Sequence, residues 1–231
     1  MQPPPRTVVI VTADVEVAWE EDFNRWYEEE HIPRLLSLPG HIAAERFVAV
    51  ESGNKHPAQH GPKYMAWYSL DSLDAYERDA AMQALLLKPG YAAIIDTPWM
   101  QRLGPHFEAK VDFYQQLTTA DGLIHGASWD SGAKLGAGAL VFRCSVGPAD
   151  EAEFNRWYAE EHLPQLAAVP GVLMARRFRV IQGAPTYMAR YDATDPSVFH
   201  TDAWFAAAET PWTSEVRKTH TDRWLTEYRR L

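Results

Sequence analysis

Apolar positions along the chain show a strand-like run followed by a helical period, and this succession occurs twice. Residues 8–15 (VVIVTADV) and residues 139–146 (ALVFRCSV) are short runs rich in apolar and β-branched residues, which is typical of strands. Each run is followed by a segment in which apolar residues recur every four positions, the spacing of one helix face. The pattern therefore predicts a strand followed by a helix at two places in the chain.

The two strand–helix segments are copies of one sequence. Residues 23–47 read FNRWYEEEHIPRLLSLPGHIAAERF and residues 154–178 read FNRWYAEEHLPQLAAVPGVLMARRF, with 15 of 25 positions identical. Further matches follow in the same order: PKYMAWY (62–68) with PTYMARY (185–191), TPW (97–99) with TPW (210–212), and HFEAKVDFYQQL (106–117) with HTDRWLTEYRRL (220–231). This self-similarity indicates an internal duplication.

Each copy has the predicted order strand, helix, strand, strand, helix, strand, which is the ferredoxin-like split βαβ unit. The first helix ends before the Pro-Gly pairs at 39–40 and 170–171, and Asp150 is placed as an N-cap. The second helix is predicted over 72–87 in the first copy and over 196–208 in the second.

The duplication divides the chain into a first unit (1–117), a linker rich in Gly, Ala and Ser (118–138) and a second unit (139–231). One unit alone leaves a sheet face uncovered because both helices lie on the other face, so two units can bury those faces together. We predict an α+β fold in which two ferredoxin-like βαββαβ units are fused into one pseudo-dimeric α/β barrel. The barrel is expected as a monomer or as a homodimer of barrels.

Composition narrows the class of partner. A net charge of −9 argues against nucleic acid and against anionic membranes, which both attract basic surfaces. The sequence has no apolar run long enough to span a membrane and no secretory signal pattern at its start. Cys144 is the only cysteine, so no internal disulfide is possible, and we expect a cytoplasmic location.

A histidine lies on the apolar face of each first helix. His31 follows Tyr27 by four residues, and His162 has the same place in the second copy. Pro33 and Pro164 come two residues later, so the helix must kink or restart there. A freed carbonyl near a buried imidazole could fix its tautomer, which favours a functional histidine. Alternatively, the proline opens a new helical turn and the histidine is structural.

The pattern FNRWYxEEHxPxLxxxPG, followed by a strand with RF, resembles the dimeric α/β-barrel superfamily, and most closely its EthD-type branch. Members usually pair two single-unit chains, so this chain resembles a fused tandem version. The resemblance implies a pocket in each unit between sheet and helices, and small hydrophobic or aromatic substrates. Related barrels include cofactor-free monooxygenases, polyketide cyclases, muconolactone-type isomerases and some haem enzymes. Their helical acid–base histidine corresponds to His31 and His162.

Other candidate catalytic residues are kept in both copies. Tyr64 and Tyr187 could donate to a developing enolate, although half-buried packing is the common role of such tyrosines. His106 and His220 open the last strand of each unit, where a surface position is the alternative.

Candidate substrate contacts are the aromatic and arginine side chains of the same helices and strands. Arg46 and Arg177 could bind a carboxylate, or form a surface ion pair. The full set is Trp26, Tyr27, Arg46, Trp67, Tyr68, Trp157, Tyr158, Arg177, Arg179 and Tyr191.

The copies also differ at informative positions. The pairs 14/145, 48/179 and 67/190 are predicted to be where the two pockets diverge. Asp14, His31 and His41 could form an acid–base group in the first unit.

Motifs for metals and nucleotides are absent from the sequence. His56 and His60 lie in a loop, and there is no H-E-x-x-H or paired-cysteine motif, so we predict no metal. No G-x-G-x-x-G follows a strand. A haem held by one histidine leaves no spacing signature, so a cofactor-independent protein is predicted with haem left open.

Three functions remain. The main hypothesis is an isomerase, cyclase or lyase acting on a small hydrophobic or aromatic carbonyl compound, with His31 or His162 as general base. The second is a cofactor-free monooxygenase, which oxygen consumption would distinguish. The third is a non-catalytic small-molecule binding or stress-response module, which predicts aromatic walls without an ionisable group in reach of the ligand.

Overall fold

The computed structural model describes residues 7–38, 40–52, 59–71, 97–117, 125–126 and 136–231, so the helix predicted over 72–87 lies outside the described residues. The strands are β1 (Thr7–Val15), β2 (His41–Ala49), β3 (Tyr64–Leu70), β4 (Phe107–Gln116), β5 (His125–Gly126), β6 (Gly138–Val146), β7 (Val172–Gln182), β8 (Tyr187–Ala193) and β9 (His220–Arg230). The two strands predicted from the first apolar runs are confirmed.

The helices are short and often joined end to end. They are α1 (Glu20–Trp26), α2 (Ile32–Leu36), α3 (Pro98–Leu103), α4 (Glu151–Trp157), α5 (Leu163–Ala167), α6 (Asp202–Ala208) and α7 (Pro211–Val216). A π turn joins α1 to α2, forming the first histidine helix (residues 20–36), and another joins α4 to α5, forming the second histidine helix (residues 151–167). None of the helices described is long and apolar enough to cross a membrane.

Two helix predictions need correction. The helix predicted over 196–208 is a 3-10 turn (Pro196–His200) followed by α6, because Thr201 is extended (ψ 151°). The Thr201 hydroxyl accepts from the Trp204 amide and so caps the new helix. Asp150 precedes α4 as predicted, but its side chain makes no capping hydrogen bond.

The strands close into an eight-stranded antiparallel barrel in the order β4-β1-β3-β2-β9-β6-β8-β7, and β7 pairs back to β4. Two pairings join the units: β2 with β9 (Phe47 opposite Arg230) and β4 with β7 (Gln116 opposite Phe178). The predicted barrel of two fused ferredoxin-like units is therefore confirmed. The short β5 lies within the predicted linker and pairs with β7 at Ala175.

Alternate strand residues point into the barrel, where both units share one core. Phe47, Trp67 and Phe178 lie there with the charged residue Arg190, which is fully buried. The Arg190 guanidinium lies 4.4 Å from the Trp67 ring centroid and bonds to Glu45 of the first unit. Trp67, a predicted substrate contact, thus faces the barrel interior and not the helices. The divergent pair 67/190 marks this interior and not a pocket beside a histidine helix.

The other strand face is covered by helices. In the first unit Phe23 packs on Tyr64, with ring centroids 5.3 Å apart, and in the second unit Phe154 packs on Tyr187 at 4.9 Å. Burial of such side chains contributes on the order of 2 kcal/mol each. The repeated aromatic stripe is therefore what docks each histidine helix on the barrel.

Candidate functional site

Each helical histidine is the last residue of a π turn. The Ile32 amide donates to the Tyr27 carbonyl five residues back, and the second copy repeats this bond. Because Pro33 has no N–H, the wider turn lets the helix continue through the proline. The predicted break is thus a single π turn, a feature that is frequent at functional sites.

A buried arginine holds each histidine helix to the sheet. Arg46 Nη2 donates to Asn24 Oδ1 (2.6 Å), and its guanidinium lies 4.2 Å from the Tyr27 ring centroid. The second copy uses Asn155, Arg177 and Tyr158, at 2.8 and 4.0 Å. Both arginines are buried, so they form neither of the predicted surface ion pairs. The asparagine and arginine of the repeated motif therefore fix each histidine helix against the sheet.

The repeated TPW motif caps a helix and anchors it to the histidine helix. The Thr97 hydroxyl accepts from the Met100 amide and donates to Glu30 (2.7 Å). In the second copy, Thr210 caps α7 and donates to Glu161 (2.5 Å). The repeated motif is visible in the sequence, but its capping and anchoring role is not.

A cavity of about 350 Å³ lies in the second unit, between the outer face of the sheet and the helices. Its walls are mostly aromatic and aliphatic, and its charged and histidine side chains come from the second histidine helix, from the residues that follow α6 and α7, and from β9. The lining residues are Leu140, Phe142, Trp157, Tyr158, His162, Leu166, Tyr191, Phe199, Trp204, Phe205, Ala206, Ala208, Glu209, Thr213, Arg217, His220, Arg223, Leu225 and Glu227. This volume is in the range of small-molecule sites.

His162 faces this cavity. Its ring stacks on Trp157 with centroids 4.1 Å apart, and Tyr158 meets it edge-on at 5.2 Å. Its Nδ1 has no hydrogen-bond partner among the described residues. Burial lowers the pKa of His162 to about 3, helped by the nearby His220 and Arg217, so the imidazole is neutral at physiological pH.

His220 completes a pair of neutral imidazoles. It begins β9, and its ring lies 5.4 Å from that of Phe154. Neither ring nitrogen has a partner in the described part of the chain. Burial lowers its pKa to about 4, with the charges of Arg223 and Arg217 adding to the effect. His162 and His220, predicted separately, are thus brought to one cavity.

The charged residues of the cavity were not among the predicted site residues. Arg217 and Arg223 each lie three residues from His220, and that flanking spacing was the available signal. Glu227 is also in the wall and binds His200 (Oε2 to Nε2, 2.6 Å). The site therefore contains acids, bases and cations around an apolar centre.

The histidines of the first unit have different surroundings. His31 is 1% exposed, with its ring centroid 4.4 Å from Trp26 and 6.0 Å from Tyr68, and burial lowers its pKa to about 3. His106 ends a 3-10 turn just before β4, stacks on Trp19 at 3.8 Å and contacts Glu16 through Nδ1 (3.0 Å).

The remaining candidates divide between the cavity and other places. Tyr191 lines the cavity and meets Trp204 at 5.3 Å. Tyr187 donates to Glu151 instead, and exposed Arg179 pairs with the same carboxylate (3.1 Å). Trp157, Tyr158, His162, His220 and Tyr191 are the predicted residues that share the cavity wall.

The acid–base group predicted in the first unit is not assembled. Asp14 Oδ1 accepts from the Lys63 amide, next to the start of β3, and Ser145 accepts from Thr186 in the same way. His41 pairs with Leu70 at the other end of β3. The two ends of β3 are about 20 Å apart by strand geometry. The pair 14/145 therefore holds a strand end.

Comparisons with known proteins support the barrel. Residues 6–117 match the family described as a domain of unknown function (DUF4286). No curated protein sequence gives a significant match. Similar solved structures include an anthrone oxidase-like protein (15% identity, TM-score 0.60, 98% of this chain and 91% of that chain). Others are a chlorite dismutase from Candidatus Nitrospira defluvii (9%, 0.58, 98% and 90%) and a protein from Lactobacillus acidophilus NCFM provisionally named a monooxygenase (12%, 0.54, 98% and 94%). These likenesses establish the fold; the EthD-type branch stays a prediction.

Proposed function

We propose that the second unit is a cofactor-independent oxygenase that acts on a small aromatic ketone with an acidic CH2 group. The observation that carries the proposal is the pair of neutral imidazoles, His162 and His220, with unpartnered nitrogens in an apolar cavity of about 350 Å³. Buried polar atoms normally have partners, so buried ring nitrogens without a partner among the described residues are not explained by a role in the protein's own hydrogen bonding.

In this mechanism His162 is the general base. It takes a proton from the CH2 group, and the carbanion, delocalised as an enolate, is favoured by the cation Arg223 in the wall. A substrate anion would oppose the cationic influence that lowers the pKa of His162 and so strengthen it as a base.

Molecular oxygen then reacts with the carbanion. A C–O bond forms, the resulting peroxide takes the proton back from His162, and loss of the second C–H proton with O–O cleavage releases water. In sum, the CH2 group and molecular oxygen give a ketone carbonyl and water, so the substrate supplies all four electrons and no external reductant is needed. The anthrone oxidase-like and monooxygenase names of the similar structures motivate this reaction over an isomerisation.

The test is oxygen uptake with anthrone as substrate. The wild-type protein should consume oxygen and form the ketone, and His162→Gln should lose most of that rate. Substrate turnover without oxygen uptake would instead support the isomerase, cyclase or lyase hypothesis. Binding without turnover would support the non-catalytic module. An absorbance scan of the purified protein is the cofactor control, because a Soret band would contradict a cofactor-independent mechanism.

A further inference from the structure

The charges of the cavity wall are unevenly paired. Arg217 is held by Glu209 through two bonds, Nη1 to Oε2 (3.0 Å) and Nη2 to Oε1 (2.7 Å). Glu227 is occupied by His200 and by the Ser52 hydroxyl (2.9 Å). The charges of Arg217, Glu209 and Glu227 are therefore largely committed to other protein groups.

Arg223 is different. Its side chain lines the cavity, and it forms no ion pair with any residue that the structure describes. Its Nε is buried without a hydrogen-bond partner among those residues. Burial and the charge of Arg217 lower its pKa, and the opposing attraction of Glu209, which is already bound to Arg217, does not offset them. A partly buried cation of this kind favours an anionic partner.

The duplication supplies a comparison. At the offset that pairs His106 with His220, Arg223 stands opposite Ala109, which packs against the aromatic core of the first unit. The strand itself therefore does not need an arginine at this position. Arg223 is a feature of the second unit, and it lines the cavity described there.

We infer that Arg223 binds an oxyanion on the aromatic substrate, a carboxylate or a phenolate, so that the cavity selects aromatic acids over neutral aromatics. The planar guanidinium fork matches a carboxylate, and the aromatic walls hold the attached ring. This inference rests on the proposed function for its catalytic meaning, because it names the substrate class of the same cavity. Ligand binding tests it without any turnover.

The experiment compares naphthoate with naphthamide, a neutral analogue of similar shape, by isothermal titration calorimetry on the full chain. Wild-type protein should bind naphthoate about ten-fold or more tightly than naphthamide, as expected for a hydrogen bond between charged groups. Arg223→Gln should abolish this preference by weakening naphthoate binding while naphthamide binding changes less than about two-fold. Arg223→Lys should keep part of the preference.

Arg229→Gln is the matched control, because Arg229 lies on the same strand, is half exposed and pairs with Asp195 (3.6 Å) outside the cavity. It should leave both affinities unchanged. Equal binding of the two probes by the wild type, failure of both to bind at millimolar concentration, or an equal loss of both in Arg223→Gln would overturn the inference. Absence of oxygen uptake with an anthrone that carries a carboxylate, together with preserved naphthoate selectivity, would reject the proposed reaction and keep the oxyanion site.

Discussion

His31 and His162 occupy the same position in two copies of one helix, yet the described residues around them differ. His162 faces a cavity of about 350 Å³, whereas His31 is 1% exposed among aromatic rings of its own unit. Both copies keep the π turn, the buried arginine and the threonine cap. The shared π turn, buried arginine and threonine cap therefore serve the fold, whereas a difference such as Arg223 against Ala109 indicates the chemistry of the second unit.

The largest expected difference between the two histidines is in the rate of oxygen uptake after each is replaced with glutamine. His162→Gln removes the proposed base and should lower the rate of oxygen uptake with anthrone by about 10²- to 10⁴-fold. His31→Gln should change the rate by less than about three-fold at a temperature where the variant is folded, because His31 lies in the other unit. Circular dichroism on both variants verifies folding. Equal rate losses would show that the two histidines do not differ in role.

Charged residues that differ between the copies also form ion pairs between the two units inside the barrel. Glu45 of the first unit accepts from Arg190 and Arg230 of the second, and Arg190 is fully buried. Glu45→Gln removes the carboxylate while both guanidinium groups stay buried. It should lower the free energy of unfolding by about 3 kcal/mol, measured by urea denaturation.

The control for this change is Glu29→Gln, which removes an exposed pair with Arg25 (3.4 Å). That variant should lose at most about 0.5 kcal/mol. If Glu45→Gln were as mild as Glu29→Gln, the interior charges would not contribute to holding the units together.

The pH dependence of the free energy of unfolding tests whether the two histidines are equally shielded from water. In the folded protein the pKa of His31 and of His162 is about 3, below the usual value of about 6.5 in an unfolded chain. Between these pH values the unfolded chain binds more protons, so stability falls as pH decreases from about 6.5 and the loss continues to about pH 3.

His31→Gln should therefore flatten the dependence of unfolding free energy on pH by about 1 kcal/mol per pH unit between pH 6 and pH 4, measured by urea denaturation at each pH. His162→Gln should flatten it as much if the cavity is dry. A smaller effect at His162 alone would mean that water in the cavity raises its pKa. An unchanged slope in both variants would contradict the burial of neutral imidazoles.

Much of the fold followed from the sequence, and the site followed only in part. Strand and helix periods and the duplication were sufficient for the barrel, because they are local or repeated signals. Trp67 was predicted to contact substrate but faces the barrel interior, and this difference has a physical cause. In β3 both faces are apolar, so alternation cannot tell that Tyr64 and Tyr68 meet the helix while Trp67 faces the barrel interior.

The cavity depends on non-local geometry. Leu225 reaches its wall through the register of β9 with β6, and Arg223 lies where that register shifts. The extended residue Thr201 starts α6, which adds Trp204 and Phe205 to the wall. No spacing in the sequence encodes such a register. The histidines could be found because they are repeated, whereas Arg223 is not.

The smallest expected effect concerns the shared threonine caps. Thr97→Ala and Thr210→Ala each remove an N-cap and a bond to a glutamate of the histidine helix, so each should cost about 1 kcal/mol of unfolding free energy. Their effects on ligand binding should differ, because α7, which Thr210 caps, carries the cavity residue Thr213. Calorimetry should show weaker naphthoate binding in Thr210→Ala and unchanged binding in Thr97→Ala. Equal affinities in the two variants would mean that α7 does not shape the cavity.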